Sequence, residues 1–214
     1  MSLARRIADR LGVRESPLYN RYLAPIRADR GLRAWWRLGR PAPSPHSVKL
    51  AAILHWSDLI GATTLVETGT YRGDTVRALR DRYQRLVSIE LSPDLARLVA
   101  AENRGFNTVE IHVGDSGALL PAITATLTTP TVFWLDAHYS GGDTAGEGDV
   151  PIYRELAGAV AATVPHIILI DDMRDFNGAR GYPTVAALTD HLTARGYKVF
   201  VASDILQAVP RALL

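Results

Sequence analysis

Five short apolar runs, each ending in polar or acidic residues, constrain the fold of this chain most strongly. The runs are Thr64 to Val66 before Glu67, Leu86 to Ile89 before Glu90, Val109 to Val113 before Gly114-Asp115-Ser116, Val132 to Leu135 before Asp136, and Ile167 to Ile170 before Asp171-Asp172. Runs of this kind that alternate with helical patterns form a parallel sheet covered by helices. In an open sheet the ligand crevice lies outside the carboxyl ends of the strands, so we expect the polar ends to converge on one site.

Helical spacing and a short connection at the end of the chain complete the predicted topology. Helices are predicted over Ser47 to Ile60, Thr75 to Tyr83, Pro93 to Asn103, Ser116 to Ala125, Ile152 to Val164 and Thr184 to Gly196. Two last strands, Tyr197 to Ala202 and Ile205 to Val209, are separated by two residues only, too few for a crossover helix, so they form an antiparallel hairpin. The sequence predicts an α/β, doubly wound, seven-stranded, mostly parallel sheet with a final antiparallel strand.

The N-terminal part differs from the rest in charge. Residues 1–50 hold eleven Arg and Lys against three Asp and Glu, a net charge of +8, which leaves −6 for the remainder of a chain with a total of +2. A proline-rich joint, Arg40 to His46, follows this part. We predict a basic helical extension over residues 1–46, acting as a lid or in dimerisation, and one domain over residues 47–214. The basic charge could serve an anionic substrate, nucleic acid or a membrane, but solvated arginines explain it more simply.

Cysteine content and hydropathy restrict the function classes. The chain has no cysteine, which excludes disulfides, thiol catalysis and cysteine-bound zinc. The N-terminus lacks an uninterrupted apolar core, and no run of about 18 apolar residues occurs. We therefore expect a cytoplasmic protein without membrane contact. Leu32, Trp35 and Trp36 are apolar candidates for exposure in the extension, and from them we expect a homodimer.

The segment Glu67 to Asp74 predicts a ligand site, because a strand there leads through a glycine turn into a helix. Gly69 allows a tight turn and close approach of backbone N–H groups, and a helix N-terminus favours a carboxylate. Such a turn also occurs in any strand-helix connection, so it decides little alone. Glu90 follows Gly69 by 21 residues, the spacing at which an acid reaches both ribose hydroxyls. The second early glycine of dinucleotide-binding turns is missing, so we expect an adenosine ligand without a pyrophosphate.

These motifs resemble those of the class I S-adenosylmethionine-dependent methyltransferases. Glu67-Thr-Gly-Thr-Tyr-Arg-Gly73 is similar to their first motif, Ser88-Ile-Glu90-Leu-Ser-Pro-Asp94 to their ribose motif, and Gly114-Asp115-Ser116 to their adenine motif. The resemblance covers roughly Leu54 to the C-terminus and implies a Rossmann-like methyltransferase fold that binds S-adenosylmethionine. The cofactor-binding residues it implies are Glu67, Thr68, Gly69, Thr70, Tyr71, Gly73, Asp74, Thr75, Glu90, Asp115, Ser116 and Asp136.

Three acids, Asp136, Asp171 and Asp172, follow the fourth and fifth strands, which are neighbours in a doubly wound sheet. Carboxylates this close repel one another unless a cation or hydrogen-bond donors neutralise them, and their oxygens suit Mg²⁺. A single Asp at such a position often merely caps the next segment, but three together favour a metal. They fall where the catechol-type and macrolide-sugar O-methyltransferases, which the chain resembles, carry three metal ligands. Asp172 replaces the usual Asn of the catechol enzymes and matches the sugar-modifying relatives.

The segment after Asp136 contains the predicted base and acceptor contacts. A sugar hydroxyl is a poor nucleophile until its proton is removed, and His138 is a candidate general base because imidazole titrates near neutral pH. The alternative is a loop histidine that orients Asp136. Residues 139–151 are rich in glycine and acids, which indicates an active-site lid or else a plain mobile connection. Tyr139, Glu147 and Tyr153 are the candidate acceptor contacts. The other histidines, His46, His55, His112, His166 and His191, lack comparable context.

The segments Leu135-Asp-Ala-His-Tyr-Ser-Gly-Gly142 and Pro151-Ile-x-x-Glu-Leu156 resemble small actinobacterial sugar O-methyltransferases, among them enzymes of methylmannose polysaccharide biosynthesis. The resemblance implies Mg²⁺-dependent methyl transfer to a carbohydrate hydroxyl of a small molecule or oligosaccharide, with Asp136 and His138 catalytic. Methylation of a catechol or other phenol is an alternative that requires an aromatic-lined wall. Nucleic-acid binding by the basic extension is a third hypothesis, although we expect no nucleic-acid partner because no known module occurs there. A non-catalytic adenosine-binding scaffold is a fourth.

Overall fold

The computed structural model describes residues 24–136, 151–179 and 181–214. Its helices are α1 (Ala24–Arg37), α2 (His46–Ile60), α3 (Asp74–Leu79), α4 (Pro93–Glu102), α5 (Ser116–Thr124), α6 (Ile152–Val160) and α7 (Val185–Thr193). Its strands are β1 (Thr64–Thr68), β2 (Arg85–Glu90), β3 (Val109–Val113), β4 (Thr131–Leu135), β5 (His166–Ile170), β6 (Tyr197–Ala202) and β7 (Ile205–Pro210). Short 3₁₀ turns cover Met173–Asp175 and Arg211–Leu213.

The seven strands form one sheet in the order β3-β2-β1-β4-β5-β7-β6. Strands β1 to β5 are parallel, and β7 runs antiparallel to both β5 and β6. Ser203 and Asp204 form the two-residue turn of the last hairpin, and both have positive φ, 53° and 63°, as a type I′ turn requires. The predicted fold class, with its final antiparallel strand, is confirmed.

Helices cover both faces of the sheet, because neighbouring residues of each central strand point to opposite sides. Every residue of β1, β4 and β5 is buried, which explains their continuous apolar sequences. On one face Val66, Phe133 and Ile168 pack with side chains of α5, α6 and α7. On the other face Leu65, Val132 and Ile167 pack with side chains of α2, α3 and α4. This double coverage is the predicted doubly wound architecture.

Helix α2 is attached to the end of the chain by polar contacts. The Trp56 indole N–H donates to Gln207 Oε1 at 2.6 Å, and the Ser44 hydroxyl, just before the helix, donates to the Ser203 carbonyl at 2.6 Å. The first turn of α2 therefore lies beside the β6-β7 hairpin, near the carboxyl end of β5. The division into residues 1–46 and 47–214 stays a prediction.

Two helices end four residues earlier than their apolar spacing predicts. Helix α6 ends at Val160 rather than Val164. Pro165 follows Val164 and favours an extended conformation at that residue, so the chain must leave the helix before β5 begins. Helix α3 ends at Leu79, and Tyr83 is buried in the turn that follows. Across the described ranges, no helix has the length and apolar character needed to cross a bilayer.

Candidate active site

The loop between β1 and α3 turns sharply at the carboxyl edge of the sheet. Gly69, Tyr71 and Gly73 all have positive φ, of 82°, 48° and 71°. The N–H groups of Gly69 and Thr70 donate to the carbonyl of Ile89 at 2.9 and 3.2 Å, which attaches the loop to the end of β2. The predicted glycine turn is present, and the Tyr71 side chain projects from it with 57% of its surface exposed.

Glu67 is a buried acid beneath this loop, with 2% of its surface exposed. Its Oε2 accepts a hydrogen bond from Ser88 Oγ at 2.6 Å, and Ser88 Oγ also lies 2.6 Å from Thr70 Oγ1. Burial raises the pKa of Glu67 to about 8, the hydrogen bonds from Ser88 and Thr75 oppose this, and the charges of Asp136 and Glu90 add to it. Without a nearby positive charge Glu67 is therefore mainly protonated at neutral pH, and a cation placed beside it favours its ionised form.

Glu90 stands at the end of β2, as predicted, and holds two backbone segments. Its Oε2 accepts the N–H of Tyr71 at 2.6 Å, and its Oε1 accepts the N–H of Ser92 at 2.9 Å. Each carboxylate oxygen retains a further lone pair that can accept from a ligand hydroxyl. Contact with a ribose stays a prediction.

The other predicted cofactor residues have protein partners. Asp115 accepts the N–H of Ala118 at 2.9 Å, capping α5, and pairs with Arg154 at 3.2 Å. Ser116 Oγ donates to buried Glu155 at 2.5 Å. Asp74, at the start of α3, pairs with Arg77 at 2.8 Å. These residues lie at the predicted strand and helix ends, and their contacts with a cofactor stay predictions.

Asp136, Asp171 and Asp172 meet at the ends of β4 and β5, and we name these three residues the acid triad. One carboxylate oxygen from each lies within 4.8 Å of the others. The Asp136 N–H donates to the Thr68 carbonyl at 3.2 Å, which places the triad beside the glycine loop. Asp171 is fully buried, and its Oδ1 accepts the N–H of Asp172 at 2.8 Å.

The negative charges of the acid triad lie close together and are partly neutralised by two basic side chains. Burial raises the pKa of Asp171 to about 7, and the charges of Asp136 and Asp172 act in the same direction. The Lys49 ammonium contacts Asp171 Oδ2 and lies 3.3 Å from Asp172 Oδ1. Arg174 pairs with Asp172 on one side and with Asp204 Oδ2, at 2.5 Å, on the other. Burial lowers the pKa of Lys49, but the triad carboxylates outweigh it and raise the pKa overall.

His46 and Lys49 are the site residues that the sequence analysis missed. They lie three positions apart on the first turn of α2, so both project from one face of the helix. The backbone of Asp74 and the charges of Asp74 and Asp136 act on the His46 ring and favour its protonated form, raising its pKa. Surrounding protein atoms lower the pKa of His46, and the two acids only partly oppose this. His46, for which the sequence offers no such context, therefore lies near Asp74 and Asp136 in the fold.

Four predicted residues belong to the segment after Asp136 or its surroundings. His138, Tyr139 and Glu147 lie outside the described residues. Tyr153 is on α6, with 40% of its surface exposed, and its ring centroid lies 5.0 Å from that of His191 on α7. The catalytic assignment of His138 and the acceptor contacts of the other three stay predictions.

Comparison with known proteins identifies the fold. No family model matches the sequence, and no curated protein matches it. An O-methyltransferase from Bacillus cereus, solved in complex with SAH, superposes with a TM-score of 0.54 at 17% identity over 85% of this chain and 90% of that chain. The O-methyltransferase TomG from Streptomyces achromogenes, involved in tomaymycin synthesis and solved with SAM, gives 0.54 at 20% identity over 86% and 89%.

The fold also occurs with a different class of acceptor. The 23S rRNA methyltransferase ErmE superposes with a TM-score of 0.50 at 17% identity over 78% of this chain and 69% of that chain. At these identities the likeness describes the fold and leaves the acceptor open. This chain has the Rossmann-like methyltransferase fold.

Proposed function

We propose that this protein is a Mg²⁺-dependent O-methyltransferase that moves a methyl group from S-adenosylmethionine to a carbohydrate hydroxyl. The observation that carries the proposal is the position of the acid triad beside the glycine loop, joined to it by the hydrogen bond from Asp136 to Thr68. Methylation of a weakly acidic hydroxyl needs a methyl donor and an activated oxygen in one orientation. A cofactor loop next to a cation site meets both needs.

The residues around the glycine loop fit a cationic adenosine ligand. Gly73 has a positive φ, and a Cβ there would lie 2.7 Å from Val99 Cγ1, so the close approach of loop and α4 requires glycine. Glu90 offers lone pairs to hydroxyls, and buried Glu67 favours a neighbouring positive charge. Bound S-adenosylmethionine supplies an electrophilic methyl group on a positively charged sulfur. The acids at this edge therefore match the ligand in charge.

The acid triad fits a hard divalent cation. Mg²⁺ prefers oxygen ligands in an octahedron at about 2.1 Å, and carboxylate oxygens within 4.8 Å of one another can share one such ion. Asp136, Asp171 and Asp172 would hold it, while Arg174 fixes Asp172 and the Asp172 N–H fixes Asp171. A bound Mg²⁺ supplies Lewis acidity that lowers the pKa of an acceptor hydroxyl.

Two histidines are candidates to take the acceptor proton. His138 follows Asp136 by two residues and is the base that the sequence predicts. His46 lies at the same edge of the sheet, and its lowered pKa keeps the imidazole neutral and able to accept a proton at pH 7. Replacing each by Asn separates them, because loss of the base lowers kcat and removes the acidic limb of its pH profile.

A carbohydrate acceptor is favoured over a phenol by the groups that surround the triad. In the described part of the chain, Lys49, Arg174 and His46 contact or face it, and all three are polar or charged. Groups of this kind hydrogen-bond to hydroxyls, whereas a catechol site needs aromatic or apolar walls. The resemblance of the 135–142 and 151–156 segments to sugar O-methyltransferases supports the same choice.

The proposal is tested by calorimetric titration of S-adenosylmethionine, followed by methyl transfer to mannosides, other glycans, catechols and RNA, each with Mg²⁺ and with EDTA. We expect cofactor binding in both conditions and turnover of a sugar with Mg²⁺ only. Turnover that survives EDTA would remove the metal from the proposal. Turnover of a catechol or RNA in place of sugars would replace the acceptor, and absence of cofactor binding would overturn methyl transfer altogether.

A further inference from the structure

Lys49 lies at the position that a cation held by Asp171 and Asp172 would take. Its ammonium contacts Asp171 Oδ2 and is 3.3 Å from Asp172 Oδ1, so it bridges two of the three acids. The Lys49 side chain is 17% exposed and that of Asp171 is fully buried. This ion pair is therefore shielded from solvent, and dissolved salt weakens it far less than it weakens a surface pair.

The second cation at the triad approaches from a different side. Arg174 pairs with Asp172 of the triad, with Asp204 in the hairpin turn, and with Asp175 at 3.6 Å. Its planar guanidinium is held by these three carboxylates. Arg174 therefore supplies charge from the edge of the triad, while Lys49 is placed between Asp171 and Asp172.

The residue type at position 49 is unusual for this chain. The sequence contains 24 lysines and arginines, and Lys49 and Lys198 are its only lysines. A lysine ammonium is a compact point charge on a flexible four-carbon stem, so it can enter a small oxygen-lined space and also leave it. A guanidinium has neither the compactness nor the same freedom.

A divalent ion and an ammonium cannot share the same two carboxylate oxygens, because each needs direct contact and like charges repel at that distance. We propose that Lys49 is a displaceable counter-ion of the acid triad, which occupies the Mg²⁺ position in the metal-free protein and is expelled when the ion binds. Lys49 thereby lowers the affinity for Mg²⁺ and protects the metal-free fold from repulsion among the acids. This inference rests on the metal site of the proposed function.

The first experiment compares metal binding by variants of the full chain. Mn²⁺, a paramagnetic substitute for Mg²⁺, is titrated and its free form measured by electron paramagnetic resonance. We expect Lys49→Met to bind Mn²⁺ at least tenfold more tightly than the wild type, because no ammonium has to be expelled. Lys198→Met, the same chemical change next to Phe200 on β6, should leave the affinity unchanged.

The variant Arg174→Met tests whether Lys49 acts by occupying the metal position or only through its positive charge. It removes one positive charge from the triad but leaves Lys49 between Asp171 and Asp172. We expect it to tighten Mn²⁺ binding by a smaller factor than Lys49→Met does. An equal or larger factor would show that Lys49 acts only as a nearby charge and would overturn the displacement.

A second experiment needs no variant and covers the case in which Lys49→Met does not fold. The wild-type protein is treated briefly with an amine-acetylating reagent, with and without Mg²⁺, and the two lysines are quantified by peptide mass spectrometry. We expect Mg²⁺ to accelerate acetylation of Lys49 several-fold while Lys198, the internal reference, reacts at a constant rate. Equal protection of Lys49 in both conditions would overturn the inference.

The outcomes separate this inference from the function on which it rests. Mn²⁺ binding of equal strength by the wild type and Lys49→Met overturns the displacement and leaves the metal site in place. Absence of Mn²⁺ binding in both proteins overturns the metal site and the inference together. Tighter binding by Lys49→Met, with a larger rise in melting temperature on metal addition than the wild type shows, supports the inference.

Discussion

At the scale of single residues, the buried acid Glu67 makes stability depend on pH. Its pKa is raised to about 8 in the folded protein, so folding binds a proton between the ordinary glutamate pKa and that value. The stability it contributes is complete below the unfolded pKa and is lost as the pH rises through the folded pKa, at about 1.4 kcal/mol per pH unit. Between pH 5 and 8 we expect the unfolding free energy of Glu67→Gln to depend less on pH than that of the wild type. The difference in slope should correspond to roughly one bound proton.

Urea unfolding of the metal-free and cofactor-free protein at several pH values measures this slope. Glu102→Gln, at an exposed position on α4, is the control and should keep the wild-type slope. An unchanged slope in Glu67→Gln would mean that Glu67 is ionised in the fold at neutral pH. The same variant should bind S-adenosylmethionine more weakly, because it removes the acid that favours a cationic ligand.

Among the acids of the triad, Asp171 is the residue whose loss should affect the metal most. It is fully buried and the charges of Asp136 and Asp172 both act on it, so Asp171→Asn removes a buried ligand charge from the site. We expect sugar methylation to fall by a factor of about 100 or more, the usual effect of losing an activating metal contact. S-adenosylmethionine affinity, measured by calorimetry, should stay within threefold, and Asp81→Asn, at an exposed position in the turn after α3, should change neither quantity. A large loss of cofactor affinity would instead assign Asp171 to the cofactor site.

The acids of the site were predictable from the sequence, and the cations were not. Asp136, Asp171 and Asp172 follow apolar strands directly, and parallel strands bring their carboxyl ends to one edge. Lys49 and His46 belong to a helix that precedes the first strand. Their positions depend on how α2 packs, through contacts such as Ser44 to Ser203 and Trp56 to Gln207, which join residues 159 and 151 positions apart. No local spacing contains that information.

At the scale of elements, Gly73 sets the distance between the glycine loop and α4. It has a φ of 71°, and an added Cβ would lie 2.7 Å from Val99 Cγ1, so Gly73→Ala suffers both backbone strain and overlap. We expect it to lower the free energy of unfolding by roughly 2–4 kcal/mol, the sum of a left-handed alanine and an overpacked contact. Gly61→Ala is the matched control, because Gly61 has a φ of 64° with no atom within 4 Å of its Cβ position. That control should cost only about 1 kcal/mol.

A double-mutant cycle that combines Gly73→Ala with Val99→Ala isolates the overlap. The smaller side chain at position 99 relieves the contact with the methyl group added at position 73 but leaves the strain in φ, so the two changes together should cost less than their sum. Additive losses would show that loop and α4 move apart at no cost. Chemical unfolding provides the free energies, and calorimetry of S-adenosylmethionine shows whether the loop still binds its ligand.

Apolar spacing predicts where helices lie but not their last residues. Helical spacing continues through Val164, yet α6 stops at Val160 because Pro165 and the start of β5 require an extended chain. Helix α7 ends close to its prediction, since Gly196, with a φ of 86°, provides a local stop signal. Gly and Pro therefore indicate that a helix ends nearby, but the exact last residue of α6 and α7 depends on how the following strand is placed in the sheet.

At the scale of the whole molecule, the homodimer stays a prediction. Of the three residues from which we expect it, Trp36 is exposed, Leu32 is half-buried, and Trp35 is buried with 7% of its surface exposed. Trp36 and Leu38 expose 64% and 75% of their surfaces, and Arg40 lies over the Trp36 ring at 5.0 Å. Beside them, Leu32, Trp35, Val48 and Ala51 line an apolar groove of about 430 Å³. Adjacent exposed apolar side chains of this kind favour burial against another protein surface.

We expect the wild-type protein to sediment as a dimer at micromolar concentration and the double variant Trp36→Ser, Leu38→Ser to sediment as a monomer with unchanged melting behaviour of the core. Leu98→Ser, which alters a leucine 51% exposed on α4, is the control and should remain dimeric.

Because the first 50 residues are strongly basic and the remainder is acidic, the same measurement in 1 M NaCl distinguishes apolar from electrostatic association. An apolar interface persists or tightens in salt, whereas pairing of the basic extension with the acidic body of a second copy dissociates. A monomeric wild-type protein at all concentrations would contradict the dimer. Trp36 and Leu38 would then be candidates for contact with the acceptor or for the lid function predicted for residues 1–46.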